Sequence, residues 1–180
     1  MIKTNLKYEI IDDFLSEELH ADLFNSISNE GFLWTRGTKV NKGFDELWNH
    51  HFAHTFYNNF TGFRSVKYEL IKSLIDKLKV GVLLRAKVNC TSYTENVLRF
   101  PLHTDLKNIK GKTCIYYLND NNGYTYFEDG TKVFSKARRL LRFDSYHKHS
   151  GTTSSDCKAR FVLNINYITR ELLTYDEVQS

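Results

Sequence analysis

From Val82 onward the hydrophobic period of this chain changes from helical spacing to strand alternation, and that change constrains the fold more than any other feature. Short strand-like runs cover Leu83 to Tyr93, Leu98 to His103, Thr113 to Asn119, Thr125 to Phe127, Lys132 to Phe134, Leu140 to Phe143 and Arg160 to Ile168. Asp120 to Gly123 and Glu128 to Gly130 supply hairpin turns between them. Many short strands after a helical block predict an α+β protein built on a β-sandwich or barrel such as a jelly roll.

Residues 1–81 read as mostly helical support for a core over 82–170, in a single domain, since 180 residues are too few for two of ordinary size. After a strand-like run from Lys7 to Ile11, Ser16 can cap a helix whose first turn holds Glu17 and Glu18. Leu19, Leu23 and Ile27 give it an apolar face, and Gly31 ends it. A second helix is expected from Asp45 to Asn59. A third is expected from Ser65 to Lys79, with Leu70, Leu74, Ile75 and Leu78 facing inward. These helices should pack on the larger sheet.

Composition narrows the partners. With 13 Phe, 11 Tyr and one Pro the chain reads as a packed globular protein. The net charge of +4 is modest, and the basic residues are scattered except for Lys136, Arg138, Arg139 and Arg142, so a nucleic-acid partner is not favoured. Cys90, Cys114 and Cys157 lack C-x-x-C spacing and suit a reducing cytoplasm. The first residues lack the apolar run of a signal peptide, and no stretch of about 18 apolar residues is present to span a bilayer. A cytoplasmic protein without a membrane partner is expected.

The chemistry concentrates in four residues of the strand-rich half: His103, Asp105, His149 and Arg160. Residues two apart in an extended strand share a side, so His103 and Asp105 can both face a barrel interior. Two imidazoles and one carboxylate can occupy one face of an octahedral Fe(II) and leave the other open, the ligand set of non-heme iron oxygenases. His147 competes with His149; His149 is preferred because it leads into the polar turn Ser-Gly-Thr-Thr and lies closer to Arg160. The guanidinium fork of Arg160 suits the far carboxylate of a 2-oxoglutarate co-substrate. His50 and His54, one helical turn apart in the expected second helix, have no third ligand near them in sequence.

Three stretches then resemble the prolyl 4-hydroxylase-like branch of the iron(II)/2-oxoglutarate-dependent dioxygenases: LHTD at 102–105, TCIYYLN at 113–119, and FDSYHKHSGTT at 143–153 followed by RFVLNINY. The resemblance covers roughly Leu83 to Ile168 and implies a double-stranded β-helix. It implies His103, Asp105 and His149 as iron ligands and Arg160 as the partner of 2-oxoglutarate. It further implies Tyr117 as a hydrogen-bonding partner of that co-substrate and Tyr93, ten positions before His103, as a second pocket tyrosine. Thr113 and Ile115 share strand parity with Tyr117 and can line the same pocket. NGYTYF at 122–127 loosely matches a family stretch, with Gly123 as a turn glycine and Phe127 in the core. The implied requirements are Fe(II), 2-oxoglutarate and O2, with ascorbate as an auxiliary reductant. The implied substrate is a peptidyl proline or another amino-acid residue of a peptide or protein, or a small molecule, and segments Thr35 to Lys42 and Thr91 to Asn96 can close over it.

Two other readings are compatible with the same barrel. Nucleic-acid demethylases of this fold carry a second arginine shortly after the first, whereas here Arg160 is followed by none until Arg170. A cupin-like module that binds a metal or small ligand without turnover would not need the complete set of four. The aromatic residues around Trp34 and Trp48 read as core.

Overall fold

The structure, a computed structural model, describes residues 7–37, 48–106 and 109–170. In chain order, the elements are β1 (Tyr8–Ile11), α1 (Glu17–Ser28), β2 (Thr35–Gly37), β3 (His51–Asn58), β4 (Gly62–Phe63), a 3-10 helix (Val66–Ile71) and α2 (Lys72–Lys77). There follow β5 (Val80–Ser92), β6 (Lys112–Tyr117), β7 (Tyr124–Phe127), β8 (Lys132–Phe134), β9 (Leu140–Asp144), β10 (His149–Ser150) and β11 (Ala159–Thr169). The large sheet runs β1-β9-β6-β11-β5-β3-β2, with β4 beside β3, and the small sheet runs β10-β7-β8. All named pairings are antiparallel.

Strand alternation gives the large sheet two different faces. Ala86 and Val88 of β5, Cys114 and Tyr116 of β6, and Leu163, Ile165 and Tyr167 of β11 are buried on its outer face. There they join Leu23 and Ile27 of α1 and Leu74 and Ile75 of α2, so the helices do cover the large sheet. Complete burial of each such aliphatic side chain stabilises by about 1.5–3 kcal/mol. The inner face carries Ile115, Tyr117, Leu141, Phe143 and Val162, which meet Phe127 and Val133 of the small sheet. This is the jelly-roll sandwich that the strand pattern predicts.

The N-terminal third departs from the helical expectation. Of the helix expected over Asp45 to Asn59, residues 45–47 lie outside the described residues, while His51–Asn58 is a strand pairing with β5 through Ala53↔Asn89 and His54↔Val88. Its aromatic and β-branched residues alternate between faces and form no helical stripe: Phe56 enters the outer core, and His51, Ala53 and Thr55 share the face of Asn89. His50 and His54 therefore are not a helical turn apart. The His54 ring instead bonds the Leu33 carbonyl and the Ser65 hydroxyl, each at 2.8 Å. Trp34 and Trp48 lie outside helices, packing on Phe161 and Phe100 respectively.

The expected third helix is divided. Ser65 accepts a hydrogen bond from the Lys67 N–H at 3.0 Å, its first turns are 3-10, and only Lys72–Lys77 is α-helical. In α1 the Ser16 cap forms as expected, accepting from Leu19 N. Leu19 is exposed, however, and His20 takes the inward position beside the Tyr116 hydroxyl at 2.9 Å. The helix stops at Asn29, whose extended backbone breaks it two residues before Gly31. The run Leu98 to His103 is not a continuous strand. Pro101 lacks an amide donor, and the segment pairs only through isolated bridges, Arg99↔Thr152 and His103↔His149.

Candidate metal centre and its cavity

The His103↔His149 bridge builds the centre. Each residue donates its backbone N–H to the other's carbonyl at 3.0 Å, and the two rings stand 4.9 Å apart. Asp105, two residues on, turns its carboxylate towards both: Oδ1 lies 3.7 Å from His103 Nε2, and Oδ2 lies 3.6 Å from His149 Nε2. The donor atoms of all three lie within 4.8 Å of one another.

The tautomers follow from the surroundings. His149 Nδ1 lies 3.0 Å from the His147 carbonyl and His103 Nδ1 lies 3.4 Å from the Pro101 carbonyl. A carbonyl only accepts, so Nδ1 carries the proton in each ring and the Nε2 lone pairs point at the shared space. Burial lowers the pKa of His149, against the pull of Asp105, and keeps the ring in the neutral form that can ligate. His147 contributes its carbonyl and not its ring, which packs on Tyr146 at 4.4 Å and on Tyr8 at 5.7 Å.

Asp105 is held on every side. Arg85 Nη2 donates to Oδ1 at 2.8 Å, while Asn164 Nδ2, Asn166 Nδ2 and the Thr113 hydroxyl donate to Oδ2 at 3.1, 3.0 and 3.3 Å. Burial pushes the carboxyl pKa up, but Arg85, the two imidazoles and the Asn166 amide outweigh it and hold the group well below the usual carboxylate range. Thr113 thus acts on Asp105 and does not line the cavity.

A cavity of about 110 Å3 leads from the cluster along the inner face to Arg160. Arg160 is almost completely buried, with Nε donating to the Ser135 hydroxyl at 2.9 Å and Nη2 left without a partner. Among the described residues, six buried side-chain polar atoms lack a hydrogen-bond partner: His51 Nδ1, Asn89 Oδ1, Thr91 Oγ1, Ser150 Oγ, Arg160 Nη2 and Asn164 Oδ1. All six residues line this one cavity. Unpaired buried groups cost about 1–3 kcal/mol each, so their convergence suits a polar ligand.

The two tyrosines fare differently. Tyr117 is fully buried between the sheets and donates its hydroxyl to Thr125 Oγ1 at 2.8 Å; Thr125, not Tyr117, lines the cavity. Its ring also faces the Arg160 guanidinium at 5.7 Å. Tyr93 is 54% exposed and borders a surface depression with Ser155, Asp156, Cys157 and Lys158, away from the cavity. It lies just past the end of β5, where the alternation that would turn it inward has ended. Gly123 is needed for space and not for a turn: a Cβ there would meet Arg160 Cδ at 2.6 Å.

Sequence reasoning overlooked Arg85, Lys87, Asn89, Thr91 and His51, together with the roles of Asn164, Asn166 and Ser135. A signal for several was present, since β5 places polar residues at every second position from Arg85 to Thr91 between apolar ones. The basic cluster, by contrast, is neutralised. Lys136 and Arg139 pair with Asp12, Arg138 with Asp13 and Glu17, and Arg142 with Glu9.

No family model matches the sequence, and no curated protein matches it either. Solved structures do match the fold. A Trichoplax adhaerens prolyl hydroxylase in complex with a hypoxia inducible factor oxygen degradation domain peptide superposes with TM-score 0.60 at 17% identity, over 97% of this chain and 87% of its own. A Burkholderia pseudomallei oxidoreductase of the 2OG-Fe(II) oxygenase family gives 0.64 at 10% identity, over 91% and 86%. The non-heme α-ketoglutarate dependent epimerase SnoN from nogalamycin biosynthesis gives 0.63 at 13% identity, over 91% and 76%. The chain therefore has the double-stranded β-helix fold of the 2-oxoglutarate and Fe(II) oxygenases, and it carries a His-x-Asp…His cluster. Among the described residues no helix is long and apolar enough to cross a membrane.

Proposed function

We propose that the protein is an Fe(II)- and 2-oxoglutarate-dependent dioxygenase that hydroxylates an unactivated C–H bond, of a peptidyl proline or another amino-acid residue. One observation carries this reading: two Nε2 lone pairs and a carboxylate converge within 4.8 Å at one end of a cavity whose other end holds a buried arginine with a free Nη2. Two nitrogens and one carboxylate suit Fe(II), and an arginine anchored at Nε but open at Nη2 suits a carboxylate. When bound, iron with 2-oxoglutarate and O2 would supply the oxidising chemistry, in which one oxygen atom enters the substrate as hydroxyl and the other enters succinate as CO2 leaves.

The chain's own residues would supply geometry. His103, Asp105 and His149 would hold the metal, with Arg85, Asn164, Asn166 and Thr113 fixing the carboxylate that contributes to it. Arg160 would hold the far carboxylate of the co-substrate, its stem fixed by Ser135. Tyr117 would act at one remove, orienting the Thr125 hydroxyl that faces the cavity. Ile115, Phe100 and Val162 give the cavity apolar wall and restrict water.

The deciding experiment is an anaerobic titration of the metal-free protein with Fe(II) and then 2-oxoglutarate, following the weak visible charge-transfer band of a chelated keto acid. The band should vanish in His103→Ala and require far more co-substrate in Arg160→Ala. Absence of the band and of tight iron binding in the native protein would refute the oxygenase reading and leave a barrel with structural histidines.

A further inference from the structure

Beyond the residues that would serve metal and co-substrate, the cavity holds one more charge. Lys87 lies on β5 between Thr55 of β3 and Asn164 of β11, on the inner face, and lines the cavity. Its ammonium makes no hydrogen bond or ion pair among the described residues. Among the described residues the only acid lining the cavity is Asp105, and both of its oxygens are already engaged, one by Arg85 and the other by Asn164, Asn166 and Thr113.

We propose, resting on the oxygenase reading, that the substrate carries an oxyanion, a carboxylate or a phosphate, and that Lys87 holds it at the cavity mouth. Register separates this role from that of Arg160. Arg160 sits opposite Thr91 and Lys87 opposite Asn164, four residues apart along β11, or about 13 Å. A co-substrate reaching from the triad to Arg160 would run along β11 and β6, past Val162, Ile115 and Thr125. Lys87 stands on the other side of β11, towards β3.

Its charge lowers the pKa of His51, and Asp105 raises its own, so the ammonium lies within electrostatic reach of both. Beyond His51, which lines both spaces, opens a cleft of about 590 Å3 whose described lining includes Arg36 and Arg64 and no acidic residue. Arg36 and Arg64 thus add positive charge to the approach from that side.

Charge balance points the same way. The two positive charges of a ferrous ion would be cancelled by the two negative charges of 2-oxoglutarate, leaving Lys87 as unmatched as before. Burial and the neighbouring Arg85 push its pKa down to about 8, the direction expected of a cation held without an anionic partner. An incoming oxyanion would restore the pairing, and a lysine, as a point charge, serves carboxylate and phosphate alike.

The test uses zinc-loaded, 2-oxoglutarate-saturated protein carrying 13Cε-lysine, with the Lys87 signal assigned by its loss in Lys87→Arg. Acetate or inorganic phosphate should shift that signal saturably, and neutral acetamide should not; the relative response to the two anions tells carboxylate from phosphate. No saturable shift with either anion, or an equal shift with acetamide, overturns the proposal. In Lys87→Met the affinity for 2-oxoglutarate should stay within about twofold, whereas a loss of about tenfold would assign the ammonium to the co-substrate and also overturn it. Failure of zinc and 2-oxoglutarate to bind the native protein would count against the oxygenase reading alone. The acetate response of the metal-free protein would then still decide whether Lys87 is an anion site.

Discussion

Replacing Gly123 by alanine tests how Arg160 is held. The added Cβ would lie 2.6 Å from Arg160 Cδ, 2.8 Å from Asn121 Oδ1 and 2.8 Å from the Thr153 carbonyl oxygen. Ordinary carbon contacts are about 3.5–4.0 Å, so something must move by roughly 1 Å. Thr153 is backbone, fixed through its N–H to the Leu98 carbonyl, and Asn121 Oδ1 accepts from Gly123's own N–H. Arg160 is therefore the group that yields. The Gly123 carbonyl also accepts from Ser135 N at 2.9 Å, and Ser135 in turn anchors Arg160 Nε, so both supports shift together. Overpacking of this kind costs about 1–3 kcal/mol, and for a chain of this length Tm falls by about 2–4 °C per kcal/mol. A displacement of about 1 Å at a positioning group can cost about 100-fold, so 2-oxoglutarate affinity should fall by about 10–100-fold. Gly130→Ala is the control. It meets open space but sits at φ +88°, so it should cost about 1–2 kcal/mol of stability without touching co-substrate binding. If Gly123→Ala lost stability yet bound 2-oxoglutarate within about twofold of native, the strain would have been absorbed elsewhere and the argued coupling would be wrong.

Other expectations follow from the same geometry. Asn166→Ala should weaken metal binding by about 10-fold, measured by competition with a chelator, because it removes one of the three donors on Asp105 Oδ2 while leaving all three ligands in place. Burial lowers the pKa of His51 to about 4 from 6.5, so the neutral ring's contribution is complete above pH 6.5 and is lost as pH falls towards 4. Urea midpoints should therefore decline over that window in the native metal-free protein and decline less in His51→Gln. Asp105, held below the ordinary carboxylate range, adds a second loss that begins only below about pH 4, so the two steps should separate in a pH series. The Cys114 thiol, pushed up to about 12 by burial, should resist iodoacetamide at pH 8 until the protein unfolds, as mass spectrometry of the labelled peptide would show.

The parts of this protein legible in its sequence are those where one local rule acts alone. Strands β5, β6, β7, β8, β9 and β11 follow from period-2 alternation, and α1 from its Ser16 cap with Leu23 and Ile27. The cluster of His103, Asp105 and His149 was legible because metal chemistry restricts residue type, although β10, only two residues long, carries no periodic signal of its own. What was not legible depends on pairing. Residues 51–58 contain enough apolar side chains for either a helix or a strand, and the exposed edge of β5 decides in favour of the strand. The same rule hides the polar floor of the cavity. Arg85, Lys87 and Asn89 look like solvated positions on an amphipathic strand, and only closure of the small sheet, the loop from Arg99 to Asp105 and strand β3 turns that face inward. A polar stripe on a strand is thus ambiguous until its neighbours are known, whereas a polar stripe on a strand with neighbours on both sides, beneath a second sheet, marks a ligand face. β5 meets that condition, flanked by β11 and β3, and so does β11, flanked by β6 and β5. Asn89, Thr91, Arg160 and Asn164 on these two strands supply four of the six unpaired buried atoms among the described residues, and His51 and Ser150 face the same cavity, which ties the unsatisfied hydrogen-bonding groups to the site and not to faults in packing.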